Sequence, residues 1–285
     1  MATIQGTTGA DTINSNSSGS IPNSTNGADT IWGDTSIGGA DATVGGADRI
    51  DGRGGNDLIY GQGGNDSMLG GTGNDSIYGG VGDDSAWGGD NNDLLDGGTG
   101  NDSLNGEGGN DVIRGGAGTD RLDGGTGDDT AEGGAGADTM VSGSGTDELS
   151  YASDTAGVTV SLIDGTASGG DAQGDSIVAN DFENLRGGSG NDNLTGSSDV
   201  DNVLWGGGGN DTVNTNYGDT AYGEAGDDLI LGSAGPGTED GIDVLDGGEG
   251  NDTILGNGDL DTIFGGSGND SILGGADAET IDAGT

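Results

Sequence analysis

The chain has no histidine, no cysteine and no lysine, and its only cationic side chains are five arginines: Arg49, Arg53, Arg114, Arg121 and Arg186. Without those three residue types it cannot assemble a His-based triad, a thiol nucleophile or an HExxH zinc site. The missing cysteines also exclude a disulfide framework. So few cations make no basic patch, which excludes nucleic acid as a partner. No apolar run approaches the length of a membrane span, so no membrane insertion is expected. The N-terminal MATIQGTTGADTIN lacks a basic region followed by an apolar core and predicts no cleavable signal peptide. Proline is nearly absent. Pro22 and Pro236 both fall where the sequence loses its period, as suits a residue that cannot donate to a sheet ladder.

Apolar residues are also scarce. A hydrophobic fraction of 28%, 71 glycines in 285 residues and a formal charge of −46 describe an acidic chain unable to build a compact globular core. Self-repulsion at that charge opposes compaction, so a disordered state is expected without counter-ions. Against disorder stand two facts: the apolar residues are periodic, and the carboxylates recur where they can share a cation.

Aspartate falls at an unbroken nine-residue interval at Asp48, Asp57, Asp66, Asp75, Asp84, Asp93, Asp102, Asp111, Asp120, Asp129, Asp138 and Asp147. A glycine-rich hexad precedes each, and an apolar residue follows two positions later. Gly70-Gly71-Thr72-Gly73-Asn74-Asp75-Ser76-Ile77-Tyr78 shows the unit, GGxGxD followed by x-U-x with U apolar. A short fixed period is the mark of a solenoid. The U slot reads Ile50, Ile59, Met68, Ile77, Ala86, Leu95, Leu104, Ile113, Leu122, Ala131, Met140 and Leu149. Strand alternation turns only that residue inward. The spacing therefore predicts an all-β parallel roll: a three-residue strand after each six-residue turn, alternate strands in two parallel sheets, and one coil per 18 residues. At one strand spacing per coil, the regular run would be about 30 Å long. Its interior is a thin aliphatic stack, too small to offset chain entropy by itself.

Four segments can be drawn. Residues 1–47 hold irregular half-repeats (Gly9–Asn14, Gly27–Trp32, Gly38–Val44). Residues 48–150 are the regular roll, and 151–187 are a non-repeat β insertion. Residues 188–285 return to the repeat, with Asp192, Asp211, Asp219, Asp228, Asp243, Asp252, Asp261 and Asp270 in the aspartate slot and Asn202 and Glu279 substituting for it. In the insertion, Val158, Val160 and Leu162 alternate with Thr159 and Ser161, a half-buried strand signal. Two or three longer strands that continue or cap the first roll are expected there.

The spacing also carries chemistry. Calcium is a hard cation that takes six to eight oxygens, carboxylate and backbone carbonyl alike. Glycines let each turn aim its carbonyls at one point, and aspartates 18 residues apart fall on one edge, one coil apart. Two ranks result, Asp48, Asp66, Asp84, Asp102, Asp120, Asp138 and Asp57, Asp75, Asp93, Asp111, Asp129, Asp147. Multiple calcium ions are the cofactor expected, and all twenty aspartates named above are the expected ligands. Uncompensated carboxylates stacked at about 5 Å would repel strongly; Asn202 and Glu279 predict weaker sites.

On these motifs the chain resembles the RTX (repeats-in-toxin, haemolysin-type) calcium-binding family over about two thirds of its length. The stretch from DELSYASDTAGVTVSLIDG to FENLRGGSGNDNLTG is also similar to a segment that recurs between roll blocks in large bacterial RTX proteins. The resemblance implies a parallel β-roll with about one calcium per inter-coil gap on each edge. It further implies one-step type I export and a chain that stays disordered in low-calcium cytoplasm and folds outside. Arg53, Gln62, Asp90, Asn91, Glu107 and Ser142 depart from the small residues of the hexad.

No catalyst is expected. Asp154, Asp164, Asp175 and Glu183 are the non-repeat carboxylates that a glycosidase pair would need, but an acidic solvated loop accounts for them. Tyr60 and Tyr78, with Trp32, Trp87 and Trp205, suit an outer strand face better than a sugar-binding strip. Both ends of the chain read as repeats, and a solenoid edge without a cap can template pairing with another copy. The sequence thus predicts an extracellular calcium-dependent structural or surface protein that stacks end to end into filaments or a lattice. The alternative is a secretion and folding module of a larger RTX toxin, adhesin or hydrolase. An ice-binding face fits less well, because the rank Gly54, Thr72, Asp90, Gly108, Thr126, Ser144 is broken.

Overall fold

In the computed structural model, the described residues are Thr12–Asn14, Thr30–Trp32, 46–233, 241–276 and 278–285. The expectations for the N-terminal stretch before Thr12, for Gly38–Val44 and for both prolines lie outside them. Two compact units are present, Met1–Asp147 and Glu148–Thr285.

The first unit is a parallel β-solenoid. One sheet contains Leu58–Gly63, Ser76–Val81, Leu94–Thr99, Val112–Gly118 and Thr130–Gly136. The other contains Arg49–Gly54, Ser67–Thr72, Ser85–Asp90, Ser103–Gly108, Arg121–Thr126 and Thr139–Ser144. Neighbours pair 18 residues apart, as in Ile59↔Ile77 and Ile77↔Leu95. From Ile50 to Met140 the U-slot residues pair in register with their equivalents one coil away, and all twelve U-slot residues are buried.

The strands are longer than the three residues expected. Most run for six because pairing continues into the glycine half of the repeat, where Gln62 faces Gly80 and Gly63 faces Val81. When coils stack in register, a turn residue meets its own equivalent one strand spacing away. Its backbone groups are then satisfied just as those of the x-U-x segment are.

The second unit is also a parallel solenoid, with most strands three residues long. Its register wanders: Thr212 pairs with Leu229, and Leu229 with Thr253. The insertion supplies three short strands. Thr159–Ser161 runs antiparallel to Thr166–Ser168, which bridges to Ser176–Ile177 around a helical turn at Gly170–Ala172. These strands are not the longer ones anticipated. Thr159–Ser161 joins the second unit's ladder in parallel with Asn193–Thr195. Tyr151, Val158, Val160, Leu162, Phe182 and Leu185 form its buried cluster. No helix among the described residues is long and apolar enough to cross a membrane.

Candidate metal centres

Each repeat turn uses glycine for two separate reasons. The second hexad position adopts a left-handed backbone, with φ of 106° at Gly80 and 115° at Gly89. Arg53, Gln62 and Glu107 hold the same conformation at this slot with φ of 70°, 74° and 70°, so here glycine is preferred and a side chain is tolerated. The first position is different. A methyl carbon built on Gly79 would lie 2.5 Å from Asp84 Oδ2 and 2.5 Å from the Gly97 carbonyl oxygen. On Gly115 it would meet Asp120 Oδ2 at 2.5 Å and the Gly133 carbonyl at 2.6 Å, and on Gly206, Asp211 Oδ2 at 2.5 Å. The absent side chain leaves a cradle into which a carboxylate and a carbonyl from the next coil both project.

The aspartates are inward groups. Asp84 and Asp111 are each 1% exposed, and Asp48, Asp57, Asp66, Asp138, Asp147, Asp192, Asp219, Asp243 and Asp261 are likewise buried. One oxygen of each carboxylate links the coils. The N–H of Asp75 donates to Asp93 Oδ1 at 2.7 Å, Asp93 to Asp111 at 2.7 Å, and Asp102 to Asp120 at 2.8 Å. The second oxygen is the informative one. Oδ2 of Asp75, Asp84, Asp93, Asp102, Asp111, Asp120 and Asp129 is buried without a hydrogen-bond partner, and so is that of Asp211, Asp228, Asp252, Asp261 and Asp270. A buried, charged acceptor left in this state is expensive unless a cation meets it.

The electrostatics agree. Burial pushes the Asp84, Asp93, Asp120 and Asp211 carboxyls up to about 7, against the lowering effect of the backbone N–H each accepts, and neighbouring carboxylates add to the rise. Burial likewise lifts Asp75, Asp111, Asp129 and Asp228 to about 6. Asp219 reaches about 7 and Asp243 about 6 for the same first reason.

Among the described residues no three carboxylates gather in one metal-holding group. A cation in a cradle would therefore take much of its oxygen shell from the glycine carbonyls, which calcium accepts readily. The donor set is entirely oxygen and carries negative charge, so the residues present fit calcium.

Three expected ligands differ from the rest. Asp192 Oδ2 accepts the Gly188 N–H at 2.7 Å, Asp219 Oδ2 the Asn216 N–H at 2.9 Å, and Asp243 Oδ2 the Ser233 N–H at 2.8 Å. For Asp219 the warning was legible, since Asn214-Thr215-Asn216-Tyr217-Gly218 lacks the glycine pattern. For Asp192 it was not, because Gly187-Gly188-Ser189-Gly190-Asn191-Asp192 is a full hexad. That aspartate also faces the insertion, taking the Val158 N–H on Oδ1.

Two of the non-repeat carboxylates are held by hydrogen bonds within the second unit. Asp154 accepts N–H groups from Ala156, Gly157 and Asp171 at 2.7–2.8 Å. Burial raises its pKa, yet those three donors together hold the group below the ordinary carboxylate range. The Tyr151 hydroxyl donates to Asp175 Oδ2 at 2.9 Å. On the outer face Tyr60 stacks on Tyr78, and Arg186 lies over the Trp205 ring, pairing also with Glu148 at 3.2 Å.

The family model of the RTX calcium-binding nonapeptide repeat matches residues 3–18, then overlapping segments from 43 to 149 and from 177 to 285. A comparison with curated proteins finds no match.

Proposed function

Because the chain belongs to the RTX calcium-binding nonapeptide repeat family, whose repeats bind multiple calcium ions, we propose that calcium occupies the glycine cradles and clamps successive coils together. The observation that carries this reading is the row of buried Oδ2 atoms that lack a hydrogen-bond partner, each beside a first-position glycine. In each cradle the aspartate would supply the charged oxygen, and the carbonyl of the next coil's glycine would supply another. The family's calcium supplies charge neutralisation. The chain's own residues supply the spacing, through the N–H to Oδ1 bonds that hold coils at one strand separation.

The role proposed is structural rather than catalytic: an exported protein that is disordered where calcium is scarce and ordered where it is millimolar, as coupling of metal binding to folding requires. Self-association end to end belongs to the same proposal, because each coil contributes half of each clamp and a second copy can complete it. Native mass spectrometry in millimolar calcium tests the first part, with a series of calcium-bound species expected and a calcium-free spectrum counting against it. Light scattering tests the second. Particles growing with calcium are expected, and a monomer at millimolar calcium would rule stacking out.

A further inference from the structure

In the second unit the two carboxylate rows part company. One row runs Asp192, Asp211, Asp228, Asp252, Asp270, tied by N–H to Oδ1 bonds of 2.8–3.0 Å. Its hexads keep the repeat pattern: GGGGND ending at Asp211, GEAGDD at Asp228 and GGEGND at Asp252. Oδ2 of Asp211, Asp228, Asp252 and Asp270 has no hydrogen-bond partner.

The other row runs Asn202, Asp219, Asp243, Asp261, tied in the same way at 2.7–3.1 Å. At Asn202, Asp219 and Asp243 the protein provides the missing partners, whereas Asp261 Oδ2 has none. Asn202 donates through Nδ2 to the Glu183 carbonyl and accepts the Ser197 N–H on Oδ1, each at 2.5 Å. Asp219 Oδ2 accepts the Asn216 N–H at 2.9 Å. Asp243 Oδ2 accepts both the Ser233 N–H at 2.8 Å and the Thr215 hydroxyl at 3.0 Å. Thr215 follows Asn214, which pairs with Thr195 on one side and Leu231 on the other. It therefore stands in the slot that Gly196 and Gly232 hold in the adjoining coils. The space that glycine leaves open elsewhere is filled by a side chain that donates to the carboxylate.

We propose that the second unit is one-sided in calcium between Asn202 and Asp243: that stretch of the row is closed by Ser197, Thr215, Asn216 and Ser233 and takes no calcium, while the Asp211–Asp228–Asp252 row and Asp261 stay open to it. This rests on the calcium reading above and restricts it. A neutral amide brings no charge, and a buried carboxylate oxygen with its own donors no longer needs a cation. The consequence is a lower calcium count than the number of repeats suggests, with the deficit confined to one row of one unit.

The test is the calcium count of the full chain by native mass spectrometry in millimolar calcium, for the unsubstituted protein, for Asp211→Asn with Asp228→Asn, and for Asp219→Asn and Asp243→Asn separately. The first pair should lose at least one calcium, and the last two variants should keep the unsubstituted count. Equal loss from Asp219→Asn or Asp243→Asn overturns the one-sided arrangement. An unsubstituted chain that carries no calcium at all overturns the reading beneath it and this proposal with it. Should a variant fail to fold, exchange of calcium for cadmium in the unsubstituted chain answers the question by carboxyl carbon NMR. The Asp211 and Asp228 carboxyl resonances should move while those of Asp219 and Asp243 stay; movement of all four overturns the proposal.

Discussion

The backbone N–H of Asp84 donates to Oδ1 of Asp102, 2.8 Å away and 18 residues later in the chain. That bond gives each repeat aspartate two jobs on two oxygens. Oδ1 joins a coil to the coil before it, and Oδ2 faces the cradle. Replacing Asp102 by alanine removes both and leaves the Asp84 N–H buried without its acceptor, which typically costs about 1–3 kcal/mol. Asp102→Ala should therefore destabilise the fold by about that much even at saturating calcium, as measured by chemical denaturation. Asp102→Asn, which retains an acceptor oxygen, should lose less stability while still losing calcium.

Glu107 sits in a left-handed backbone with φ of 70°, in the slot where most repeats carry glycine. For residues with a Cβ that conformation costs about 1–2 kcal/mol. Glu107→Gly should raise the denaturation midpoint in calcium by roughly 1 kcal/mol of stability. Gly79→Ala should do the opposite and lower calcium occupancy, because its Cβ would enter the cradle beside Asp84 Oδ2. If both substitutions lower stability alike, the two glycine slots do not have the separate roles described.

Burial moves the Asp84, Asp93 and Asp120 carboxyls from an ordinary 3.8 up to about 7 in the fold without calcium. Between those two values the folded chain binds more protons than the unfolded one, so folding is favoured as pH falls. The contribution is complete below about 3.8 and is lost as pH rises through about 7. With calcium chelated, far-ultraviolet circular dichroism should show β-structure growing from pH 8 down to pH 4. With calcium present, protons compete for the same oxygens, so the calcium midpoint should rise as pH drops below 7. Loss of structure on acidifying the chelated chain would contradict both.

Much of this arrangement was legible from the nine-residue spacing. The 18-residue coil, the inward stack from Ile50 to Leu149 and the two aspartate ranks all follow from periodicity. The six-residue strands did not, because a glycine turn in isolation has no reason to be extended; it becomes so only beside an identical turn. Nor did the division of labour within each carboxylate, since a sequence places the aspartate but not its two oxygens. The exception at Asp243 depends on Thr215 in the adjoining coil, and the wandering register of the second unit hides that from a linear reading, whereas the exception at Asp192 is an N–H of its own turn. The sequence around Asp154 reads as a solvated acidic loop, whereas three backbone donors fix that carboxylate within the insertion.

The most direct test of the account is far-ultraviolet circular dichroism with hydrodynamic radius, recorded on the whole chain in millimolar calcium and again after chelation. A thin aliphatic stack bearing a formal charge of −46 should not hold without its cations. The prediction is a β-rich, compact chain in calcium and an expanded chain without β-signal after chelation, restored when calcium returns. An unchanged spectrum and radius in chelator would contradict the claim that calcium in the glycine cradles holds the coils together.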